Sequence, residues 1–244
     1  MSKELKGQRG TLDTVRRIFP FVMIVLTAVT IAVTGVIYGQ VWWKMVPLYI
    51  SLVVGLFQTQ ANRYATLVGG TNSVIYAGVN AADKLYAQSL YSLLVSCPVQ
   101  IATFLRWSKN KYKQSTRFRK MNSMQRVLLL GGFAVVLAAS CVVYALILRG
   151  QGEVFDTLTL ILDTSMMLVG IASMILTYLS FVEFSWFMMC TGVLSILLDA
   201  RMFFTGNPAR ITFLVFSVYS MICVTLQFIT VQRLYKEQQR GDEE

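Results

Sequence analysis

The alternation of long apolar runs with short polar ones along this 244-residue chain predicts helices that span a lipid bilayer. Ile18–Tyr38, Val127–Leu148 and Ile211–Gln232 are nearly free of charge, and each exceeds the roughly 18 residues that mark a spanning helix. In lipid the backbone must satisfy its own hydrogen bonds, so runs of this kind form helices. Shorter and more polar stretches extend the pattern to eight helices, over 18–38, 45–60, 64–82, 85–107, 126–148, 155–178, 182–203 and 210–232. The third is interrupted by Gly69, Gly70 and Gly78 and by Asn72, Ser73 and Asn80.

Composition agrees with a membrane protein. Hydrophobic residues make up 55% of the chain, charged residues only 14%, and mean hydropathy is +0.59. A soluble domain carries about 25% charged residues. The polar, basic stretch Met1–Arg17 precedes an apolar run too long for a signal peptide, with no small-residue cleavage site behind it. It reads as the lead into an uncleaved first span.

The net charge of +10 belongs to topology rather than to nucleic acid. With eight spans, one side holds the N-terminus, Arg63, the loop Trp107–Gln125 with its flanking arginines, and the C-terminus. That side carries 17 of the 22 basic residues; Lys44, Lys84, Arg149, Arg201 and Arg210 are the other 5. Lys and Arg in short loops favour the cytoplasm, so both termini are expected there. The basic loop, including Lys109, Lys111, Lys113, Arg117, Arg119 and Lys120, has two readings. It either rests on anionic headgroups as a topology determinant or docks a cytosolic partner.

Helix count and charge suggest an all-α integral membrane protein of 3+1+3 spans behind an extra N-terminal helix. The expected divisions are 1–44 (N-terminus and extra helix), 45–107 (first three-helix bundle), 108–154 (basic loop and linking helix), 155–234 (second bundle) and 235–244 (cytoplasmic tail). A single linking helix restores the orientation that three spans would invert, which makes two parallel repeats possible.

Several chemistries are excluded. There is no histidine, so His-dependent zinc sites, Ser-His triads and histidine proton relays drop out together. Cys97, Cys141, Cys190 and Cys223 lack metal-ligand spacing and read as free thiols in apolar segments. No Gly-rich phosphate loop and no G-x-S-x-G elbow occurs. Two carboxylates seven apart, Asp156 and Asp163, are a weak basis for an intramembrane enzyme. The chain is therefore expected to be no enzyme and to need no cofactor.

Polar groups at membrane depth are costly and usually face a bundle interior or a water-filled path. Asn72 and Tyr76 share one face of the third helix. Gln88, Ser92, Ser96 and Gln100 step by four along the fourth, the last just after Pro98. Together they could serve one solute pathway or simply pair helices. Asp163 lies about 12 Å into the sixth helix. It is a structural partner, a contact for a cationic solute or a proton-coupling site. Glu183, at the next turn, could cap the seventh helix. Trp186 and Tyr219 could stack on a flat ring or pack in the core. Trp42, Trp43 and Trp107 fall at interfaces, where Trp is an anchor.

Two ungapped stretches resemble the PnuC-type vitamin transporters. One is Gly69-Gly70-Thr71-Asn72 with Leu85-Tyr86-Ala87, Pro98-x-Gln100 and Trp107. The other runs from Asp163-Thr164-Ser165-Met166-Met167 through Met174-Ile175-Leu176 to Val182-Glu183. The resemblance covers most of 60–107 and 160–200. It implies a fold related to full-length SWEET-type sugar carriers, a homotrimer, and facilitated diffusion across a bacterial inner membrane with a cytosolic kinase trapping the solute. The implied cargo is nicotinamide riboside, moved by alternating access around a midplane site. Asn72, Tyr76, Gln88, Ser92 and Gln100 would line the first-half pocket. In the seventh helix, nicotinamide riboside carriers have a pattern like Trp-x-x-Trp-x-x-x-Asn, whereas those positions here are Ser185, Met188 and Gly192. Trp186 is one place off that register, which opens the cargo to thiamine, riboflavin or a nucleoside. A membrane scaffold that transports nothing is the competing class.

Overall fold

A computed structural model of the chain describes residues 21–39, 41–82, 92–150, 157–205 and 210–241. Among these, eight α-helices fall where the apolar pattern predicts them. They are α1 (Phe21–Ile37), α2 (Trp42–Thr59), α3 (Tyr64–Ala82), α4 (Cys97–Lys109), α5 (Ser123–Gly150), α6 (Thr157–Tyr178), α7 (Phe184–Phe204) and α8 (Ile211–Gly241). One π-helical turn, Ser92–Ser96, leads into α4, and Pro98 sits in the first turn of α4, where its fixed φ suits the helix. Arg106 and Lys109 close that helix, complementing its negative end. The last helix outruns its expected end at 232, so residues 235–241 of the expected tail are helical.

Among the described residues, three helical stretches are long and apolar enough to cross a membrane by length and composition alone: Ser123–Ser140, Phe184–Phe204 and Ile211–Arg240. Phe21–Ile37 and Thr164–Tyr178 are shorter apolar helices. The helices α2, α3 and α4 are more polar because they turn polar groups inward. Asn72, Ser73 and Thr103 are buried, while Val53, Val74, Ile101 and Leu105 are exposed. Polar inside and apolar outside is the arrangement that lipid requires.

Neighbour relations close a ring. α2 packs on α3, α3 on α4, α4 on α6, α6 on α7, α7 on α8, and α8 back on α2. α5 packs along α6 outside the ring, and nothing in its first 18 residues is buried. α1 covers the α2–α8 seam through a core of Ile31, Leu48, Leu52, Tyr219 and Cys223.

Close approach at two seams depends on glycine. A Cβ on Gly55 would meet the Tyr219 ring at 3.0 Å, and one on Gly69 would collide with the Gln100 amide. At the α2–α3 corner Ala61 takes a left-handed conformation, φ 48°, and Asn62 caps α3 by accepting from the Tyr64 N–H at 3.1 Å.

The basic segment between α4 and α5 is a folded cap. Its hairpin pairs β1 (Lys111–Tyr112) with β2 (Ser115–Thr116). Arg119 then bridges to the α6–α7 turn, donating to the Ser180 carbonyl at 2.9 Å and accepting from Val182 N at 2.8 Å. The α8 extension holds the other flank: Gln238 accepts from Phe118 N and donates to the Thr116 carbonyl, both at 2.9 Å. Lys113 pairs with Glu237 at 2.7 Å, a hydrogen bond that raises the lysine's pKa above its ordinary value.

Beneath the cap, Phe118 stacks on Phe184 and both meet Trp107 edge-on. Glu183 departs from its expected role. It occupies the N-cap position of α7 without a side-chain capping bond. Its carboxylate instead accepts from Met121 N at 3.1 Å and from the Arg126 guanidinium at 3.0 Å. A dehydrated backbone N–H and a cation compete better for a carboxylate than its own helix end does.

A candidate solute cavity inside the helix ring

A cavity of about 150 Å³ lies inside the ring. All six ring helices reach it, with Gln58 of α2, Ala65 of α3, Gln100 of α4, Thr177 of α6, Met188 of α7 and Gln227 of α8 among its lining. A void of this size accepts a ring the size of benzene, one ring of a larger solute and not the whole of it. It sits toward the basic end of the bundle, not midway: Gln58 is next to the last residue of α2, and Ala65 is the second of α3.

The polar lining is partly committed already. Gln100 Nε2 donates to Ser73 Oγ at 3.1 Å and Ser96 Oγ at 2.8 Å, and those hydroxyls lie 2.9 Å apart. Thr103 and Thr177 donate to carbonyls one helical turn back, both at 2.7 Å. Trp107, 2% exposed, donates its indole N–H to the Thr177 carbonyl at 2.9 Å. That position contradicts its reading as an interfacial anchor. The basic cap covers the interface, so the indole turns into the bundle.

Gln227 is different. It is 4% exposed, and its Oε1 is buried with no hydrogen-bond partner. Leaving such an acceptor unmade costs about 1–3 kcal/mol.

Of the expected site residues, only Gln100 lines the cavity among those whose side chains are described. Asn72 is 4% exposed and donates to the Pro47 carbonyl at 3.0 Å and to Ser51 Oγ at 2.9 Å, which fastens α3 to α2. Tyr76 hydrogen-bonds the same Ser51. Ser92 is buried in the π-helical turn. Tyr219 donates to the Leu52 carbonyl at 2.8 Å within the α1–α2–α8 core. Trp186 is 56% exposed, its ring packed edge-on against Phe228 at 4.6 Å, on the outside of the bundle.

Gln88 and the side chain of Asp163 lie outside the described residues. The backbone of Asp163 is in α6, 11 residues before Met174 of the cavity wall, which is about 16 Å along the helix axis.

Sequence reasoning missed Gln58, Asn62, Thr66, Trp107, Met188 and Gln227. Amides at 58 and 227 inside apolar runs were the available signal. The register of the expected aromatic pattern also pointed to position 188.

Chemically, the cavity offers amide and hydroxyl groups beside a Trp ring and two thioethers, from Met174 and Met188. None of its lining residues is a nucleophile activated by a base, and none carries a charge. No group of three or more potential metal ligands occurs among the described residues. The arrangement can hold a small ring and cannot transform it.

No curated protein matches the chain. The crystal structure of the vitamin B3 transporter PnuC shares its fold, with a TM-score of 0.69 at 22% identity over 90% of this chain and 92% of that one. The family model described as nicotinamide mononucleotide transporter matches residues 41–230, from the start of α2 to the middle of α8 and so through every ring helix. The chain therefore belongs to the nicotinamide mononucleotide transporter family, and it is a membrane transporter, not an enzyme.

Proposed function

We propose that this chain carries a small heterocyclic vitamin precursor or nucleoside across the membrane by facilitated diffusion, through the cavity in the helix ring. The observation that carries the reading is the composition of that cavity's wall. Both triads contribute to it, α2–α4 with their connecting corner the larger part and α6–α8 Met174, Thr177, Met188 and Gln227, so movement of one triad against the other would open it to alternate sides. In this reading the chain is a 3+1+3 carrier of SWEET-like plan, with α5 as the link and α1 as the extra helix. The basic cap marks the cytoplasmic side of a bacterial inner membrane, assembly is as a homotrimer, and a cytosolic kinase draws the solute inward.

Nicotinamide riboside is the cargo implied by the sequence resemblance. The lining modifies that expectation. At the positions of the aromatic pattern, Ser185 bonds the Val182 carbonyl, Met188 lines the cavity, and Gly192 lies against Met221. A thioether therefore stands where a ring would stack. The purified chain in liposomes should show saturable uptake of at least one vitamin or nucleoside. Uptake no faster than in empty liposomes across such a panel would refute the carrier reading and favour a scaffold, for which the Asn72 and Gln100 hydrogen bonds already serve as helix fastenings.

A further inference from the structure

On the basic side the cavity ends against the apolar cluster beneath the cap. Ala61 and Trp107 belong to both: each lines the cavity, and each joins Phe118, Met121, Phe184 and Val231 in that cluster. The direct path from the cavity to the basic face therefore runs through this cluster.

The cluster's walls are held unequally. The cap is stapled to α6–α8 by the Arg119 bonds to Ser180 and Val182, the Glu183 clamp on Met121 and Arg126, and the Gln238 bonds to Thr116 and Phe118. α4 is fastened to α6 at this end: Trp107 donates to the Thr177 carbonyl at 2.9 Å, and the Arg106 guanidinium lies over the Tyr178 ring at 4.8 Å. The α2–α3 corner is held more lightly. Its backbone meets the cap where Arg63 N donates to the Gln114 carbonyl at 3.1 Å. It meets α8 where Thr230 Oγ1 donates to the Thr59 carbonyl at 2.8 Å. That hydroxyl also reaches the Leu226 carbonyl of its own helix at 2.8 Å, so it keeps a partner when the corner leaves. Ala61, 1% exposed, is seated with φ 48°, a left-handed backbone that persists only where its surroundings hold it.

We propose that the α2–α3 corner, residues 59–63, is the gate on the basic side of the cavity, that the cap is the seat against which it closes and travels with α6–α8, and that the structure is the closed state. The triads hinge at the α4–α6 seam and part at the α2–α8 seam, drawing Ala61 out of the cluster. The proposal rests on the carrier reading and on the cap facing the cytoplasm, and it adds the moving part.

One test needs no cargo. In a background cleared of native cysteines, Ala65→Cys places a thiol on the cavity wall. Inside-out vesicles present the cap side to a membrane-impermeant maleimide. Thr230→Val removes the α8–α2 latch and keeps its shape, so labelling of Cys at 65 should speed up about fivefold, the loss of one hydrogen bond. Leu48→Cys, in the α1–α2–α8 core, should stay protected in the same variant. An unchanged rate at 65, or equal acceleration at both positions, overturns the latch.

A second test follows uptake of nicotinamide riboside, thiamine, riboflavin and uridine into liposomes. A disulfide between Arg63→Cys and Gln114→Cys should abolish uptake, and reduction should restore it. A disulfide at the Arg119–Phe181 bridge, within the seat, should leave uptake unchanged. Uptake that survives the first disulfide overturns the gate, and uptake lost with the second overturns the cap's travel with α6–α8. No uptake of any of the four by the reduced chain counts against the carrier reading, while the labelling rates still decide the gate.

Discussion

Ser180 ends α6 in a left-handed conformation, φ 61°, with Phe181 N reaching back to the Leu176 carbonyl at 3.0 Å. This is the helix-ending position where glycine is preferred. Its hydroxyl is also buried without a partner. Ser180→Gly should therefore raise the melting temperature in detergent, with a gain of about 0.5–1 kcal/mol. Gly69 behaves oppositely. Its Cα lies against the Gln100 amide, which two hydrogen bonds hold in place, so Gly69→Ala should cost about 1–3 kcal/mol. Gly78 has open space where a Cβ would go, and Gly78→Ala should be stabilising by up to about 1 kcal/mol. Melting temperatures of the three variants check the set. The Gly69-Gly70-Thr71-Asn72 run was visible in the sequence, but its use was not. It is a packing motif: Gly69 and Gly70 admit α4, and Asn72 grips α2.

At the scale of elements, the basic segment changed most between sequence and structure. Its charge predicted a topology determinant on anionic headgroups or a docking site for a cytosolic partner, and disclosed no fold. In the structure its backbone is tied up in its own hairpin and by three neighbours: the 60–63 corner, the α6–α7 turn and the α8 extension. Arg63 N donates to the Gln114 carbonyl at 3.1 Å, and Glu183 clamps Met121 and Arg126. The lysines and arginines still point outward, so charge alone could not disclose the fold beneath them. Glu183→Ala leaves the Met121 N–H and the Arg126 guanidinium unpaired and should cost about 1–3 kcal/mol. Local opening should then speed tryptic cleavage between Lys109 and Arg126 by about tenfold or more, read from the rate of band loss. An unchanged rate would mean that the clamp does not hold the cap.

At the scale of the whole molecule, the ring and the cap give the bundle two unlike ends. One is basic, capped and adjacent to the cavity, and the other carries Tyr38 and Phe204, both exposed. The proposed orientation predicts opposite labelling of two single-cysteine variants in intact cells, made in a background cleared of native cysteines. Lys113→Cys, at the exposed hairpin tip, should react with a membrane-impermeant maleimide only after the cells are broken, and Tyr38→Cys should react before. The reverse pattern would invert the topology.

The helices and the asymmetry of charge between their connections were legible in the sequence itself, because both are sums over neighbouring residues. Twenty apolar residues in lipid make a helix whatever their neighbours, and a ratio of 17 basic residues to 5 separates two sets of connections without any contact being known. Which polar residue serves the cavity was decided only by tertiary structure. Asn72 and Gln227 are both amides buried in apolar helices, and nothing in their local sequence separates them. Each helix turns about 100° per residue, so a small rotation chooses the neighbour a side chain meets. Asn72 meets the carbonyl of Pro47 and the hydroxyl of Ser51, and its amide nitrogen is spent on joining α3 to α2; Gln227 lies on the cavity wall.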